Sequence, residues 1–317
     1  MLHGRPAACA SFGSDAAGPC PRSLQRVRAV MDTGARDREA AMGSDTLVIA
    51  QFSDFHCGDA RFDPRLMRAV VDEIVELLPD LVVVPGDLTE QGYLDQFVDA
   101  RSWLEQLECP NVVIVPGNHD ARNVGFMHFE TLFGQRFSST LLPYGEGGAR
   151  AARVVAVDSS RPDLNQGEIG RDRYRWLFDQ LTEEDDAVRM LVMHHHLVSV
   201  PGTGRERNIL WDAGDVLQIL SECRTDLVLA GHKHVPYVWQ VNGIVIATSG
   251  TAATRRTRGR TPPSFNIVRV TPEEIRVTMR NTGQSTGRET VFPRRPEIAV
   301  GGTARRGATE PGVAMKL

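Results

Sequence analysis

A chain of 317 residues with 41% hydrophobic and 24% charged side chains is long enough to bury a substantial core, and its balance is that of a water-soluble globular protein rather than a disordered or fibrous one. Its formal net charge of -4 provides no global attraction to nucleic acid or to an anionic membrane surface, and no apolar run approaches the roughly 20 residues that span a bilayer. Five scattered cysteines, Cys9, Cys20, Cys57, Cys109 and Cys223, lack paired metal-type spacing and fit a reducing compartment. A cytoplasmic protein, monomeric or homodimeric, with neither nucleic-acid nor membrane partners, is expected.

Residues 1–45 are rich in Ala, Arg, Gly and Pro and read as a disordered extension; Met31 or Met42 is an alternative start. The first regular signal is Thr46 to Ser53, a short apolar run that reads as a buried strand. A helix from Pro64 to Leu78, a strand from Leu81 to Val84, a helix from Leu94 to Leu107 and a strand from Val112 to Val115 follow, a βαβαβ pattern. Further strands are expected at Arg153 to Val157, Met190 to Met193 and Leu227 to Ala230, with helices at Arg171 to Leu181 and Ala213 to Ser221. These runs do not alternate in polarity, so their strands are covered on both faces. Tyr237 to Val241 and Ile244 to Thr248 flank Asn242-Gly243, a hairpin signal, and Asn266 to Val270 and Glu274 to Met279 complete the β-rich end. The expected domain therefore covers 46–282, an α/β (α+β type) assembly of mixed sheets packed face to face with helices outside. Residues 283–317 read as a disordered tail.

Ligand-type side chains collect where these strands end, the edge at which α/β folds bind ligands. Asp54 and His56 follow the first strand, Asp87 the second, and Asn118, His119 and Asp120 the third; His194 precedes His195 and His196, and His232 and His234 flank Lys233. The chain has nine histidines, and five of them, His56, His119, His194, His232 and His234, fall in these loops, which chance placement explains poorly. Carboxylate, amide and imidazole without thiolate suit divalent Mn, Fe, Co or Zn. Residues separated by one along an extended segment point the same way, so Asp54 with His56, and His232 with His234, each aim two side chains at one volume. Gly86, Gly117 and Gly231 permit sharp turns and close approach beside them.

The blocks Asp54-Phe55-His56, Gly86-Asp87, Gly117-Asn118-His119-Asp120, His194 and Gly231-His232-Lys233-His234 together resemble the calcineurin-like metallophosphoesterases over roughly residues 46 to 280. That resemblance implies a four-layer α/β/β/α sandwich of two mixed β-sheets with a dinuclear metal centre at the sheet edge. It also implies that Asp54, His56 and His234 bind one divalent ion, that Asn118, His194 and His232 bind the other, and that Asp87 bridges them. Within the His194 to His196 run the resemblance favours the first as ligand, while alternation places His195 on the opposite face and His196 back on the site side, as a supporting or substrate-facing group. His119 resembles the family's non-ligand histidine, placed to protonate the leaving alkoxide or to stabilise charge on the phosphate, and Asp120 would orient its ring. The family's purple acid phosphatases carry tyrosine three residues after the bridging aspartate, where this chain has Glu90, so a purple ferric enzyme is not expected.

The segment from Val157-Asp158-Ser159-Ser160 to Arg175-Trp176-Leu177 resembles the bacterial class III cyclic-nucleotide phosphodiesterase branch, which implies a small phosphodiester substrate and attack by metal-activated hydroxide. Arg255, Arg256, Arg258 and Arg260 form a basic run suited to phosphate contacts, with Arg255 and Arg256 as candidate substrate residues; the alternative is a solvated loop. Trp211 either stacks on a base or fills a core pocket, and the core is the favoured expectation. The competing readings are a phosphomonoesterase, nucleotide phosphatase or phosphoprotein phosphatase of the same superfamily, and a metal-binding scaffold without activity. A scaffold that had lost activity should have lost ligands, and none is missing.

Overall fold

The computed structural model describes residues 45–183, 186–204, 208–258, 261–284 and 287–294. The N-terminal extension up to residue 44, with Cys9, Cys20 and both alternative start methionines, lies outside the described residues, as do Arg260 and residues 295–317.

Hydrophobic patterning sets up three apolar seams. In β1 (Leu47–Gln51) the side chains of Leu47 and Ile49 enter one buried cluster and those of Val48 and Ala50 another, so the strand is covered on both faces. The same division holds in β2 (Leu81–Pro85), where Leu81 and Val83 oppose Val82 and Val84. Strands β3 (Val112–Val115), β10 (Ser264–Val270), β11 (Glu274–Asn281) and β12 (Gly287–Pro293) complete a six-stranded sheet in the order β12-β11-β10-β1-β2-β3. The pairs β1–β2 and β2–β3 are parallel, and the others are antiparallel. A second six-stranded sheet runs β4 (Ser138–Tyr144), β5 (Arg150–Ala156), β6 (Val188–Val192), β7 (Leu227–Ala230), β9 (Ile244–Thr248), β8 (Tyr237–Val241), parallel from β5 through β9 and antiparallel at both edges.

Between the sheets lies the cluster of Leu47, Ile49 and Val83 with Val154, Val192 and Leu229. Helices α1 (Pro64–Leu77), α2 (Leu94–Leu104) and α3 (Gly125–Phe133) cover the outer face of the first sheet through Met67, Ile74, Phe97 and Phe129. Helices α4 (Arg171–Thr182) and α5 (Ala213–Glu222) cover the second through Leu177, Leu181, Val216 and Leu220. The result is the four-layer α/β/β/α sandwich. Helix α1 shows how local signals place an element. Asp63 caps it by accepting from the Arg65 N–H at 3.1 Å, Pro64 stands in its first turn, and buried Met67, Val70, Val71 and Ile74 recur at helical spacing.

Three elements had no counterpart in the sequence reading or contradict it. Helix α3 and strand β4 were not foreseen. Strand β12 lies inside the tail expected from residue 283 and pairs with β11 along its whole length, which extends the sheet to Pro293. Its residues are mostly exposed, so no apolar run announced it. Trp211, expected in the core, is 79% exposed. Buried Gln51 ties the sheets together at the site end: its Nε2 donates to Ala230 O at 2.9 Å and Ala247 O at 3.2 Å, while its Oε1 accepts from Asn266 Nδ2 at 3.0 Å. No helix among the described residues is long and apolar enough to cross a membrane.

Candidate metal centre

The loops following β1, β2, β3, β6 and β7 meet at one edge of the sandwich, where Asp54, His56, Asp87, Asn118, His194, His232 and His234 are all buried. Strand-like alternation is not what aims the paired ligands. Asp54 (φ 54°), His56 (φ 50°), Asp87 (φ 52°), His232 (φ 79°) and His234 (φ 56°) all adopt left-handed backbone, so each loop curls its side chains inward. Close approach of the loops demands a small residue at 231, where a Cβ would lie 2.5 Å from Asp54 Oδ2.

Beside a group of His56, Glu90 and His119, two further groups of donors result, each with its ligand atoms within 4.8 Å of one another: Asp54, His56, Asp87 and His234 in one, and Asp87, His194 and His232 in the other. Asp87 belongs to both. Asn118 joins the second group, its Oδ1 lying 3.1 Å from His194 Nε2 and 2.9 Å from His232 Nδ1.

Hydrogen bonding on the far side of the rings shows what the donors are arranged to hold. His194 Nδ1 lies 2.8 Å from Pro85 O and His234 Nδ1 2.6 Å from Arg256 O; a carbonyl accepts only, so each Nδ1 carries the proton. In the neutral form of either ring, Nε2 then carries a lone pair that faces oxygen atoms and ring nitrogens of the cluster. His194 Nε2 faces Asn118 Oδ1, an Asp87 oxygen at 3.4 Å and His232 Nδ1 at 3.1 Å, and His234 Nε2 faces His56 Nε2 at 3.0 Å and Asp54 Oδ1 at 3.4 Å. Lone pairs converging in this way need a proton or a cation between them. His232 Nε2 is buried and has no hydrogen-bond partner. Oxygen and imidazole donors without thiolate, backed by carbonyls on the opposite ring nitrogens, fit divalent transition ions.

The electrostatics agree. Burial opposes protonation of His194, but the neighbouring Asp87 outweighs it and pushes the pKa up to about 9. Burial likewise opposes the charge of Asp87, and His194 and His119 outweigh it to hold the carboxyl well below its ordinary range. For His232, burial with His195 and His194 alongside holds the ring neutral, well below the usual imidazole range.

Four expectations need correction. Asp120 does not reach the His119 ring: its carboxylate accepts from the backbone N–H groups of Leu88, Thr89 and Gly117 and from Thr89 Oγ1, at 2.8 to 3.1 Å, which clamps the loop after β2 to the loop after β3. Arg255 points away from the site and pairs with Asp63 at 2.8 Å, because successive residues of the loop face opposite sides. His196 does not face substrate: it is fully buried, is not among the cavity's lining residues, and stacks its ring 5.6 Å from that of His232, which leaves only the supporting half of its expected role. His195 is not turned away from the cluster: its ring centroid lies 4.6 Å from that of His232, while its Nδ1 meets Ser159 Oγ at 2.9 Å.

Glu90, Arg122 and Asn165 were missed as site residues. Glu90 is the hub of the outer shell: its carboxylate lies 3.1 Å from His56 Nδ1, 3.2 Å from His119 Nδ1 and 2.8 Å from Arg256 Nη1. Burial opposes its charge, but His119 and His56 hold its carboxyl below the ordinary range. His119 hydrogen-bonds through Nδ1 to Glu90 O at 2.8 Å, and Arg122 Nη2 lies 3.1 Å from its Nε2. Its backbone N–H donates to Asp87 Oδ1 at 2.9 Å. A cavity of about 180 Å³ opens over the donors and is lined by Asp87, Asn118, His119 and His232, by Asn165, and by Arg122, Arg256 and Arg258. Only the acidic position three residues after Asp87 hinted at Glu90; no spacing marked Arg122 or Asn165.

A two-sheet sandwich that gathers carboxylate, amide and imidazole donors into two groups sharing one aspartate defines a metallophosphoesterase. The chain belongs to the calcineurin-like phosphoesterase family, whose model matches residues 47–236, and is by class a metal-dependent phosphoric ester hydrolase. It is 29% identical over 204 residues to a probable cyclic nucleotide phosphodiesterase of Synechococcus sp., covering 61% of this chain and 75% of that protein. It is also 29% identical over 172 residues to the glycerophosphodiester phosphodiesterase GpdQ of Enterobacter lignolyticus, covering 54% of this chain and 61% of that one. Among solved structures, the yellow lupin purple acid phosphatase PPD1 shares the fold with a TM-score of 0.59 at 14% identity, over 80% of this chain and 55% of that one. Plasmodium GAP50 does so with a TM-score of 0.62 at 14% identity, over 79% and 89%.

Proposed function

We propose that the chain is a dinuclear-metal-dependent phosphodiesterase that hydrolyses cyclic nucleotides or other small phosphodiesters. The observation that carries this reading is the pair of donor groups joined through Asp87 beneath a polar cavity. Asp54, His56 and His234 would hold one divalent ion, Asn118, His194 and His232 the other, and Asp87 both. Ions bound there supply Lewis acidity, lowering the pKa of water toward neutrality and offsetting charge on the phosphate. The chain's own residues do the rest. Glu90 fixes the rings of His56 and His119, and Asn118, with Asn165 bonded to it at 3.3 Å, shapes the wall beside the phosphate. His119 lines the cavity as the candidate proton donor to the leaving oxygen: Asp87 and Glu90 outweigh its burial and raise its pKa, but its Nε2 accepts from Arg122 Nη2 at 3.1 Å, so Arg122 must turn from Nε2 before that nitrogen can carry the proton it hands over. The names of the relatives support a diester over a monoester.

The test is to purify the full chain, measure its bound metals, and assay it on cyclic AMP, cyclic GMP, a bis-aryl phosphate, an aryl monophosphate and glycerophosphodiesters. Metal-dependent turnover of diesters is the expected result. Activity confined to monoesters overturns the phosphodiesterase reading, and metal binding without turnover of any ester points to a scaffold.

A further inference from the structure

The cavity over the donor groups is charged in a way that a simple diester does not require. Among the described residues lining it, Asp87 is the only carboxylate, whereas Arg122, Arg256 and Arg258 are cations. Arg122 and Arg256 share Glu90 at 3.7 and 2.8 Å, and Arg256 also lies 3.6 Å from Asp59, which Arg61 holds at 2.9 Å, so these three cations and two carboxylates together retain one positive charge. The Arg258 guanidinium is exposed and has no carboxylate or hydrogen-bond partner among the described residues, which adds a second. A phosphodiester carries a single negative charge, and an ion pair at the donor groups accounts for it.

The lining is also unsuited to a base. Apart from histidines, the described lining residues include no aromatic side chain and no aliphatic wall; the rest are Asn, Thr, Arg and Asp. Bases are ordinarily held by stacking on aromatic or apolar side chains, and pockets that enclose a whole organic ligand are larger, about 300 Å³ or more. A volume of about 180 Å³ suits phosphate groups alone. Guanidinium forks match phosphate oxygens and discriminate by charge.

We propose that the substrate is a phosphodiester bearing a second phosphate-like anion a few bonds from the scissile phosphorus, with Arg258 and Arg256 receiving that second anion, and that no base is stacked within the cavity. The proposal rests on the phosphodiesterase reading above and narrows it to the other small phosphodiesters, since a cyclic nucleotide carries a single phosphate.

The test uses the full chain loaded with manganese and a matched pair of diesters, p-nitrophenyl ethyl phosphate and p-nitrophenyl 2-phosphonoethyl phosphate. The two release the same leaving group and differ only in the second anion. The expected result is a kcat/KM about tenfold or more higher for the phosphono compound, carried by KM and shrinking as salt is raised, since charge-assisted contacts are worth that much or more. Arg258→Ala should reduce the ratio between the two substrates several-fold without altering the melting curve, because the side chain is exposed. A ratio of one or less, or a ratio that Arg258→Ala leaves intact, overturns the second-anion assignment while the diester reading stands. Failure of metal-loaded protein to hydrolyse either compound overturns both.

Discussion

Gly117 offers a direct way to dislodge the shared aspartate without touching a ligand. A Cβ at this position would stand 2.2 Å from Asp87 Oδ1 and 2.4 Å from Asp87 N, against an ordinary contact of 3.4 Å or more. In Gly117→Ala the Asp87 loop must therefore retreat by about 1.2 Å (3.4 − 2.2) or the loop after β3 must move by the same amount. Neither strand end is free to yield. His119 N–H donates to the same Asp87 oxygen at 2.9 Å, and Asp120 pins Gly117 N, Leu88 N and Thr89 N. Overpacking of this kind costs about 1–3 kcal/mol. A shift of an ångström in a ligand common to both donor groups should weaken both ions together. The assay is metal titration by calorimetry on chelated, refilled protein, with urea denaturation beside it. Gly214→Ala is the control: it lies in α5 with no atom within 4 Å of an added Cβ, so the change should stabilise by about 0.5–1 kcal/mol and leave metal binding alone. Two ions bound by Gly117→Ala with wild-type affinity would refute the reasoning.

The remaining predictions concern protons and metal. In chelator, stability should fall as pH rises from about 7.5 toward 9, above the range in which the depressed imidazoles His56, His195 and His232 contribute the opposite slope. His194, pushed up to about 9, and His119, also raised, bind protons more tightly in the folded than in the unfolded chain, and that advantage is lost as they deprotonate. Urea midpoints that stay level or climb over that range refute the assignment, and saturating metal should flatten the slope because bound imidazoles must be neutral. Removing metal should lower the melting temperature in a manner that depends on metal concentration, since ions bound only by the native state stabilise it by mass action. His119→Ala should reduce turnover of alkyl diesters with poor leaving groups far more than that of p-nitrophenyl diesters; equal losses on both remove the proton-donating role.

What could be read in the sequence follows from burial. Runs such as Leu47–Gln51 and Leu227–Ala230 announce themselves because both faces of the strand are covered, and five strand ends carrying Asp, His or Asn mark the binding edge. Strands β4 and β12 lie at sheet edges with one side in solvent, so a continuous apolar run is missing and neither was foreseen. The neighbours Arg255 and Arg256 are identical in sequence terms, and only the backbone decides that one caps the α1 entrance through Asp63 while the other faces Glu90. Asp120 was misread for a related reason: a carboxylate next to a histidine in sequence says nothing about which donors fold around it. Four donors from two loops surround Asp120, and Glu90, distant from His119 in the chain, occupies the place beside its ring.

The same point bears on how the donor set is held. Left-handed backbone at a non-glycine residue costs on the order of 1 kcal/mol, and five of the proposed ligands adopt it. Such strain persists only where neighbours over-determine it. Here Asp54 N–H donates to Gly86 O at 3.1 Å, His56 N–H to Asp87 O at 3.1 Å, His232 N–H to Asp54 Oδ1 at 3.0 Å, and Thr251 Oγ1 to Asp54 O at 2.6 Å. Each of these bonds joins one ligand-bearing loop to another or to the Thr251 segment, so no loop can relax alone. The left-handed turns and the glycines beside them are thus one device: the glycine lets two loops touch, the touching loops hydrogen-bond, and the hydrogen bonds hold the strained turns that aim the side chains. Replacing one ligand with alanine removes a donor. Replacing a glycine moves several donors at once, and the larger effect on metal affinity should come from the residue that binds nothing.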